Sequence, residues 1–203
     1  MLVMVLYALG FVLLGYLCGG LTFSIWITRL LKRVDVRDAG SGHATTTNTI
    51  RQAGLPAGVL VLVLDIAKGF LPAWLALHYA PAPARPWIAA LAVAAAVAGH
   101  CWPVFAQFRG GMGLATGAGG LLAASPLSFL IAAAILIFLT LVIRHGARAS
   151  VTTAALLAPG FWLAGLRGAE LPIAAAGSVV LVIRFLSDWN RQYRELWLDR
   201  EKR

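Results

Sequence analysis

The chain has 203 residues, of which 60% are hydrophobic and only 12% are charged. A water-soluble domain is nearer about half apolar and about a quarter charged, so this composition excludes a disordered chain and disfavours a soluble enzyme. It favours a protein that crosses the membrane several times, because each span needs about 20 mostly apolar residues. The net charge is +9, and in a membrane protein such an excess of basic residues usually lies on the cytoplasmic side, next to anionic lipid. Nucleic-acid binding is not expected, since no basic and aromatic domain lies outside the apolar segments.

Six apolar stretches are long enough to predict membrane helices. In chain order they run over 2–31, 56–79, 87–105, 127–143, 151–166 and 171–186. The shorter stretch 113–124 would cross as a short helix that turns at Ser125-Pro126. Basic residues concentrate around the connections that follow the first and fifth of these seven segments, and at the C-terminus. The distribution of positive charge therefore predicts seven membrane helices, one of them short, with the N-terminus outside and the C-terminus in the cytoplasm.

We expect one all-α integral membrane domain over 1–203, with cytoplasmic motif loops at 34–55, 106–113 and 144–150. The N-terminal apolar run has no preceding basic region and is longer than a signal-peptide core, which predicts a retained first span. Both cysteines lie in apolar runs outside any C-x-x-C pair, so neither a disulfide nor a metal site is expected.

The first motif loop, 34–55, combines small residues, hydroxyls and cations. Small residues around Ser41 allow backbone N–H groups to converge on an anion. Thr47 and Asn48 add polar donors, and Arg51 adds a planar fork that matches phosphate oxygens. A solvated polar loop explains the same composition, and the residues alone leave the two interpretations equal.

The second motif contains three glycines, Gly110, Gly111 and Gly113, before a predicted helix. Unpaired N–H groups at such a helix start favour a phosphate. No Walker lysine accompanies them, so a nucleotide-binding P-loop is not supported. His100 lies at the end of the preceding span, where a single histidine is more often a structural hydrogen-bonding group than a catalytic residue.

Two charged residues, Asp65 and Lys68, stand three positions apart within one predicted span. This spacing allows an ion pair on a helix. Charges inside a span are costly enough to suggest a function, and a structural salt bridge explains them equally well.

Taken together, the motifs resemble those of the bacterial acyl-phosphate:glycerol-3-phosphate acyltransferases, the PlsY family. The family pattern V-D-[LI]-R-x-x-G-S-G-N-x-G-A-T-N-x-x-R is similar to this chain at Val34, Asp35, Val36, Arg37, Gly40, Ser41, Gly42, Thr47, Asn48 and Arg51. Two further elements, D-x-x-K-G-x-x-P and G-H-x-[FYW]-P-V-F followed by F-[KR]-G-G-K-G-[VL]-A-T, are similar at Asp65, Lys68, Gly69, Pro72, Gly99, His100, 102–105, 108–111 and 113–116.

The resemblance implies a multi-pass protein of the bacterial inner membrane, surrounded by lipid and without nucleic-acid partners. The implied reaction moves a fatty acyl group from acyl-phosphate to the 1-hydroxyl of glycerol-3-phosphate, giving lysophosphatidic acid for phospholipid synthesis. It implies no metal and no other cofactor, and no CoA or carrier protein. We expect a monomer.

The resemblance also implies the site residues. Ser41 and His100 are the expected catalytic residues. The expected substrate-binding residues are Arg51, Asn48, Thr47, His43, Gly110, Gly111, Gly113, Thr116, Ser150, Lys68 and Asp188.

The chain departs from the family pattern where the family contacts phosphate. The asparagine after G-S-G is His43, the lysine of G-G-K-G is Met112, and a histidine and an asparagine of the C-terminal R-H-R-E-N-I-N-R element are Phe185 and Asp188. Loss of the lysine removes a contact worth about 1.5–3 kcal/mol, and Asp188 adds negative charge near anionic substrates. Arg109 is the first candidate for a compensating cation.

These departures leave a second hypothesis open, that of a catalytically weakened paralogue that binds lipid or acyl-phosphate without turnover. A transporter is disfavoured, because apart from Asp65 and Lys68 the predicted spans contain almost no ionisable groups.

Overall fold

The computed structural model describes residues 2–191, and within them it contains helices and no strand. The C-terminal cations beyond Arg191, which contributed to the predicted orientation, lie outside the described residues. The α-helices are α1 (Leu2–Gly19), α2 (Phe23–Lys32), α3 (Thr46–Ala53), α4 (Leu55–Tyr79), α5 (Arg85–Cys101), α6 (Leu114–Ala124), α7 (Pro126–Ile143), α8 (Gly146–Leu163) and α9 (Glu170–Leu186). Short 3₁₀ turns occupy Val36–Asp38, Ala82–Ala84 and Val104–Ala106.

Four helical stretches in the described part of the chain are long and apolar enough to cross a membrane: Leu2–Lys32, Leu55–Tyr79, Ala82–Ala106 and Pro126–Ile143. The helix α6 is apolar but has only 11 residues, as expected for the short segment. Ser125 and Pro126 separate α6 from α7, with Ser125 Oγ accepting from the Ser128 amide at 3.4 Å. An all-α protein with several membrane spans is therefore confirmed, whereas the number seven and the orientation of the termini stay predictions.

The predicted first span, 2–31, is divided into two helices rather than forming one. The helix α1 ends at Gly19 and α2 begins at Phe23. At the break, the buried Lys68 ammonium donates to the carbonyl of Leu21 at 2.9 Å. This donor satisfies a carbonyl that an uninterrupted helix would have paired internally. The break turns α2 into a separate element whose last turn is basic.

Two predicted motif loops are partly helical. Within 34–55, the Thr45 hydroxyl accepts from the Asn48 amide at 3.3 Å and starts α3. Within 144–150, His145 Nδ1 accepts from the Arg148 amide at 3.4 Å, so that α8 begins at Gly146. In both cases a side chain caps the first turn, and the non-helical connection is shorter than predicted.

The helix α5 is the centre of the bundle and contacts α1, α4, α6 and α9. Its contact with α1 is made by backbone: a Cβ on Gly15 or Gly19 would overlap the carbonyl oxygens of Ala92 and Ala96, respectively. Small residues allow membrane helices to approach this closely. Because α5 ends at the second motif, this packing fixes the position of His100.

Candidate functional site

The first motif loop folds around the side chain of Asn48, which is fully buried. Its amide nitrogen donates to the carbonyls of Val36 at 2.6 Å and Ala39 at 3.0 Å. Its Oδ1 accepts from the Ser41 amide at 3.4 Å, and a Cβ on Gly40, which has a φ of +63°, would collide with this oxygen. Asn48 was expected to bind substrate, but the loop occupies both ends of its amide. It therefore holds the loop in shape.

Arg37 joins the first motif loop to the second. Its Nε and Nη2 donate to Asp35 at 2.9 and 2.7 Å, and its Nη1 donates to the carbonyls of Ala106 at 2.9 Å and Arg109 at 3.2 Å. The hydrogen bonds from Arg37 hold the pKa of Asp35 well below its usual range, and Asp35 raises the pKa of Arg37. Both groups are therefore charged at neutral pH. The Arg109 side chain, the expected compensating cation, is exposed.

The glycine turn of the second motif uses its first two amides internally. The Gly110 amide donates to the carbonyl of Cys101 at 3.2 Å, and the Gly111 amide donates to that of His100 at 3.0 Å. The Ala44 amide donates to the Gly110 carbonyl at 3.2 Å and brings the two motif loops together. The expectation that the amides of Gly110 and Gly111 bind phosphate does not fit these bonds.

The remaining residues of this turn face the start of α6. Gly113, with a φ of +83°, is the N-cap of α6. Thr116, in its first turn, is fully buried, and its hydroxyl has no hydrogen-bond partner within residues 2–191. Met112 packs against the apolar core. Arg184 brings a cation to the turn, because its Nε donates to the Gly111 carbonyl at 3.0 Å.

The end of α9 brings three charged residues to the first motif loop. His43 Nε2 lies 2.8 Å from Asp188 Oδ2, and Arg184 Nη2 lies 3.1 Å from His43 Nδ1. Arg191 Nη2 donates to the Ser41 carbonyl at 2.8 Å. The negative charge of Asp188 is thus matched by cations. Arg184 and Arg191 are the site residues that sequence reasoning missed, although their spacing of four and three residues from Asp188 is the signal for one helix face.

Arg51 lies beside the Gly40 turn. A Cβ on Gly40 would be 3.7 Å from Arg51 Nη1. Arg51 Nη2 is buried, and the described residues offer it no hydrogen-bond partner. A buried donor of this kind favours an acceptor such as a phosphate oxygen. Thr47, by contrast, lies on the exposed side of α3.

The charged pair in α4 is buried and lies next to His100. Lys68 Nζ is 2.8 Å from Asp65 Oδ1 and also bonds to Leu21. His100 Nδ1 is 3.7 Å from Asp65 Oδ1, which is too long for a hydrogen bond. A Cβ on Gly111 would overlap His100 Nε2, so this edge of the ring faces the glycine turn. These contacts favour a structural role for Lys68 and place His100 at the site.

Ser150 is buried in α8, and its hydroxyl donates to the Gly146 carbonyl of the same helix at 2.8 Å. The start of α8 contacts the end of α9 through Arg148, whose Nε donates to the Trp189 carbonyl at 3.4 Å. Residues 2–191 contain no group of three or more His, Cys, Asp or Glu side chains that could hold a metal ion.

A family model described as glycerol-3-phosphate acyltransferase matches residues 9–195. The chain belongs to the glycerol-3-phosphate acyltransferase family. The glycerol-3-phosphate acyltransferase of Methylobacillus flagellatus is 39% identical over 184 residues, which cover 90% of this chain and 88% of that protein. The enzyme of the same name from Shouchella clausii is 44% identical over 116 residues, and the match spans 56% of its length.

Among solved structures, the chain is similar to PlsY, an integral membrane glycerol 3-phosphate acyltransferase. The glycerol 3-phosphate form of PlsY is 34% identical with a TM-score of 0.78, and the match covers 91% of this chain and 90% of that one. The lysophosphatidic acid form is 32% identical with a TM-score of 0.76. Family membership confirms the resemblance inferred from the motifs, and these likenesses give no support to the hypothesis of a weakened paralogue.

Proposed function

We propose that this membrane glycerol-3-phosphate acyltransferase takes its acyl group from an acyl-phosphate and transfers it to the 1-hydroxyl of glycerol-3-phosphate. The products are lysophosphatidic acid, for phospholipid synthesis, and inorganic phosphate. The observation that carries the proposal is the buried Arg51 Nη2, which has no partner among the described residues and lies beside the Gly40 turn. A guanidinium in this position binds a phosphate through charge-assisted hydrogen bonds.

The proposed chemistry asks the protein for positioning and charge stabilisation. An acyl-phosphate is a mixed anhydride and is already activated. The substrate hydroxyl oxygen forms the new ester bond to the acyl carbon and loses its proton. The bond between the acyl carbon and the phosphate oxygen breaks, and phosphate leaves with the bonding electrons and, after proton transfer, carries the hydroxyl proton as hydrogen phosphate. Holding the two substrates together and neutralising the leaving phosphate supply the rate enhancement.

The proposed roles follow from the position of each side chain. Arg51 binds glycerol-3-phosphate, and Arg184 neutralises the leaving phosphate at the glycine turn. Ser41 and His100 are the proposed catalytic residues, and the Ala44–Gly110 hydrogen bond of 3.2 Å joins the two segments that carry them. The start of α6, with the N-cap Gly113 and the buried Thr116 hydroxyl, completes the proposed phosphate-binding surface.

We also propose seven membrane segments in a single domain, with the N-terminus outside and the site at the cytoplasmic face of a bacterial inner membrane. The first segment comprises α1 and α2, and the other six are α4 to α9. Arg29, in the last turn of α2, pairs with Asp35 at 2.6 Å, so the basic end of this segment lies on the side of the motif loops. Positive charge at that side supports a cytoplasmic location. Accessibility labelling of single cysteines placed at positions 83 and 203 tests this, and external labelling at 203 would refute it.

The acyl donor is tested with the purified protein in lipid nanodiscs and labelled glycerol-3-phosphate. Acyl-phosphate, acyl-CoA and acylated acyl carrier protein with the same acyl chain are offered separately. We expect labelled lysophosphatidic acid with acyl-phosphate alone. Equal turnover with a thioester would refute the proposed donor, and absence of product with every donor would favour the weakened paralogue.

A further inference from the structure

We propose that His43 and Asp188 act together as a positioning pair that fixes the Arg184 guanidinium at the glycine turn. Neither residue of the pair contacts the reacting atoms in this proposal; both act through Arg184. The inference rests on the proposed function of the same site, and it assigns to the pair a task different from direct substrate binding.

The hydrogen-bond partners determine the tautomer of His43. A guanidinium only donates, so the 3.1 Å contact from Arg184 Nη2 makes His43 Nδ1 an acceptor without a proton. The neutral ring then carries its proton on Nε2 and donates it to Asp188 Oδ2 at 2.8 Å. Arg191 Nη1 lies 3.2 Å from the same Nε2, but its guanidinium donates to the Ser41 carbonyl and is 3.9 Å from Asp188 Oδ2. We assign the proton on Nε2 to Asp188.

This arrangement fixes the Arg184 fork from three directions. Its Nε donates to the Gly111 carbonyl at 3.0 Å, its Nη1 to the Ser187 hydroxyl at 2.8 Å, and its Nη2 to His43. These bonds use three of the five N–H groups of a guanidinium. The other two are available for phosphate oxygens, beside a turn where Met112 offers no charge.

Asp188 makes the arrangement electrostatically possible. It is 4% exposed and lies 3.9 Å from both Arg184 and Arg191. Two guanidinium groups around one neutral imidazole would repel each other, and the carboxylate offsets this repulsion. Both His43 and Asp188 replace an asparagine of the family pattern, and they contact each other. The two departures therefore form one coupled change.

The test is a double-mutant cycle in the transfer assay. We expect His43→Ala and Asp188→Ala each to lower kcat about tenfold or more, with a smaller effect on the KM for glycerol-3-phosphate, since 1.4 kcal/mol corresponds to tenfold. The double variant should be no worse than either single variant within about threefold. In an Arg184→Ala background, His43→Ala should change kcat by less than about twofold. If the fold-losses in kcat of the two single variants multiply in either double variant, the proposal is overturned.

Two amide variants separate positioning from mere support of the fold. The Oδ1 of His43→Asn lies near the position of the ring Nδ1 and can accept from Arg184. The Nε2 of His43→Gln lies near the ring Nε2 and can donate to Asp188, but this variant has no acceptor near Nδ1. We expect the kcat of His43→Asn to stay within about threefold of wild type and that of His43→Gln to fall about as far as in His43→Ala. The opposite order would refute the assigned tautomer. His78→Ala, an exposed histidine bonded to the Trp74 carbonyl of its own helix, is the matched control and should behave as wild type.

A second measurement keeps the inference testable if the proposed reaction fails. Inorganic phosphate should raise the Tm of wild type and of His78→Ala in the absence of acyl donor. In His43→Ala and in Arg184→Ala the shift should be reduced to the part that phosphate bound at Arg51 provides. A full shift in His43→Ala refutes the positioning pair, whereas wild-type protein that shows the shift but no transfer refutes only the proposed function.

Discussion

Replacement of Arg51 by alanine should weaken glycerol-3-phosphate binding without destabilising the unliganded protein. Arg51 Nη2 is buried and has no hydrogen-bond partner within residues 2–191. Its removal therefore relieves an unsatisfied donor, and the Tm without substrate should stay equal or rise. With substrate, the loss of hydrogen bonds to a charged group costs about 1.5–3 kcal/mol, so the KM for glycerol-3-phosphate should rise about ten- to hundredfold.

The assay measures initial rates at saturating acyl-phosphate with glycerol-3-phosphate varied, together with thermal unfolding of the same samples. Arg51→Lys keeps the charge but loses the planar fork, and we expect an intermediate KM. Arg167→Ala, an exposed arginine stacked over Trp162 at 5.1 Å, is the matched control. An unchanged KM in Arg51→Ala would remove Arg51 from the site. A large fall in its Tm would mean that Arg51 supports the loop.

Three further predictions concern charge elsewhere. Met112→Lys should raise kcat/KM less than about threefold in wild type, where Arg184 already supplies positive charge at the glycine turn. In Arg184→Ala the same substitution should raise kcat/KM about tenfold, since a contact of 1.4 kcal/mol is worth tenfold. Equal gains in both backgrounds would show that Arg184 does not supply this positive charge. Lys68→Met should lower the free energy of unfolding by about 3–5 kcal/mol because Asp65 is left buried and unpaired, and Asp65→Leu in the same chain should restore most of the Tm. Asp35→Asn should lower the Tm at neutral pH, because arginine hydrogen bonds hold the folded-state pKa of Asp35 below its unfolded value. That stabilisation is present above about pH 3.9 and is lost as pH falls below it, so the Tm difference should shrink on acidification; a constant difference would contradict it.

The membrane helices were predictable where the apolar run ends at a local signal. Ser125 and Pro126 cap and start α7, and the predicted stretch 127–143 agrees with the helix within one residue at its start. The division of the first segment was missed although the break has a local signal. Gly19-Gly20 is followed by Thr22, the N-cap of α2, and such a pair of glycines and an N-cap threonine are typical of a helix end and a helix start. The Lys68 donor that satisfies the Leu21 carbonyl stands 47 positions away, and no local pattern shows it.

The residue types of the candidate site were predictable, but which of its polar groups bond within the protein and which remain available to substrate was not. Glycines before a helix suggested phosphate-binding amides, but carbonyls at the end of α5 accept from Gly110 and Gly111. Asn48 looked like a donor for substrate, and its donors are directed into its own loop. Arg184 matches the first arginine of the C-terminal family element and was counted as cytoplasmic charge, but it was not predicted as a site residue, because its position at the glycine turn arises from the packing of α9. Residue identity specifies what a group can do, whereas tertiary contacts decide whether it remains available.

The contact between His43 and Asp188 also constrains when the enzyme becomes active during its own synthesis. The two residues are 145 positions apart. At about 5–20 residues per second, roughly 7 to 30 seconds of translation separate them. During that interval the nascent first loop has neither Arg184 nor Arg191 beside it. If the pair positions Arg184 as proposed, full acyl-transfer activity therefore requires that the last described helix has been made and has packed.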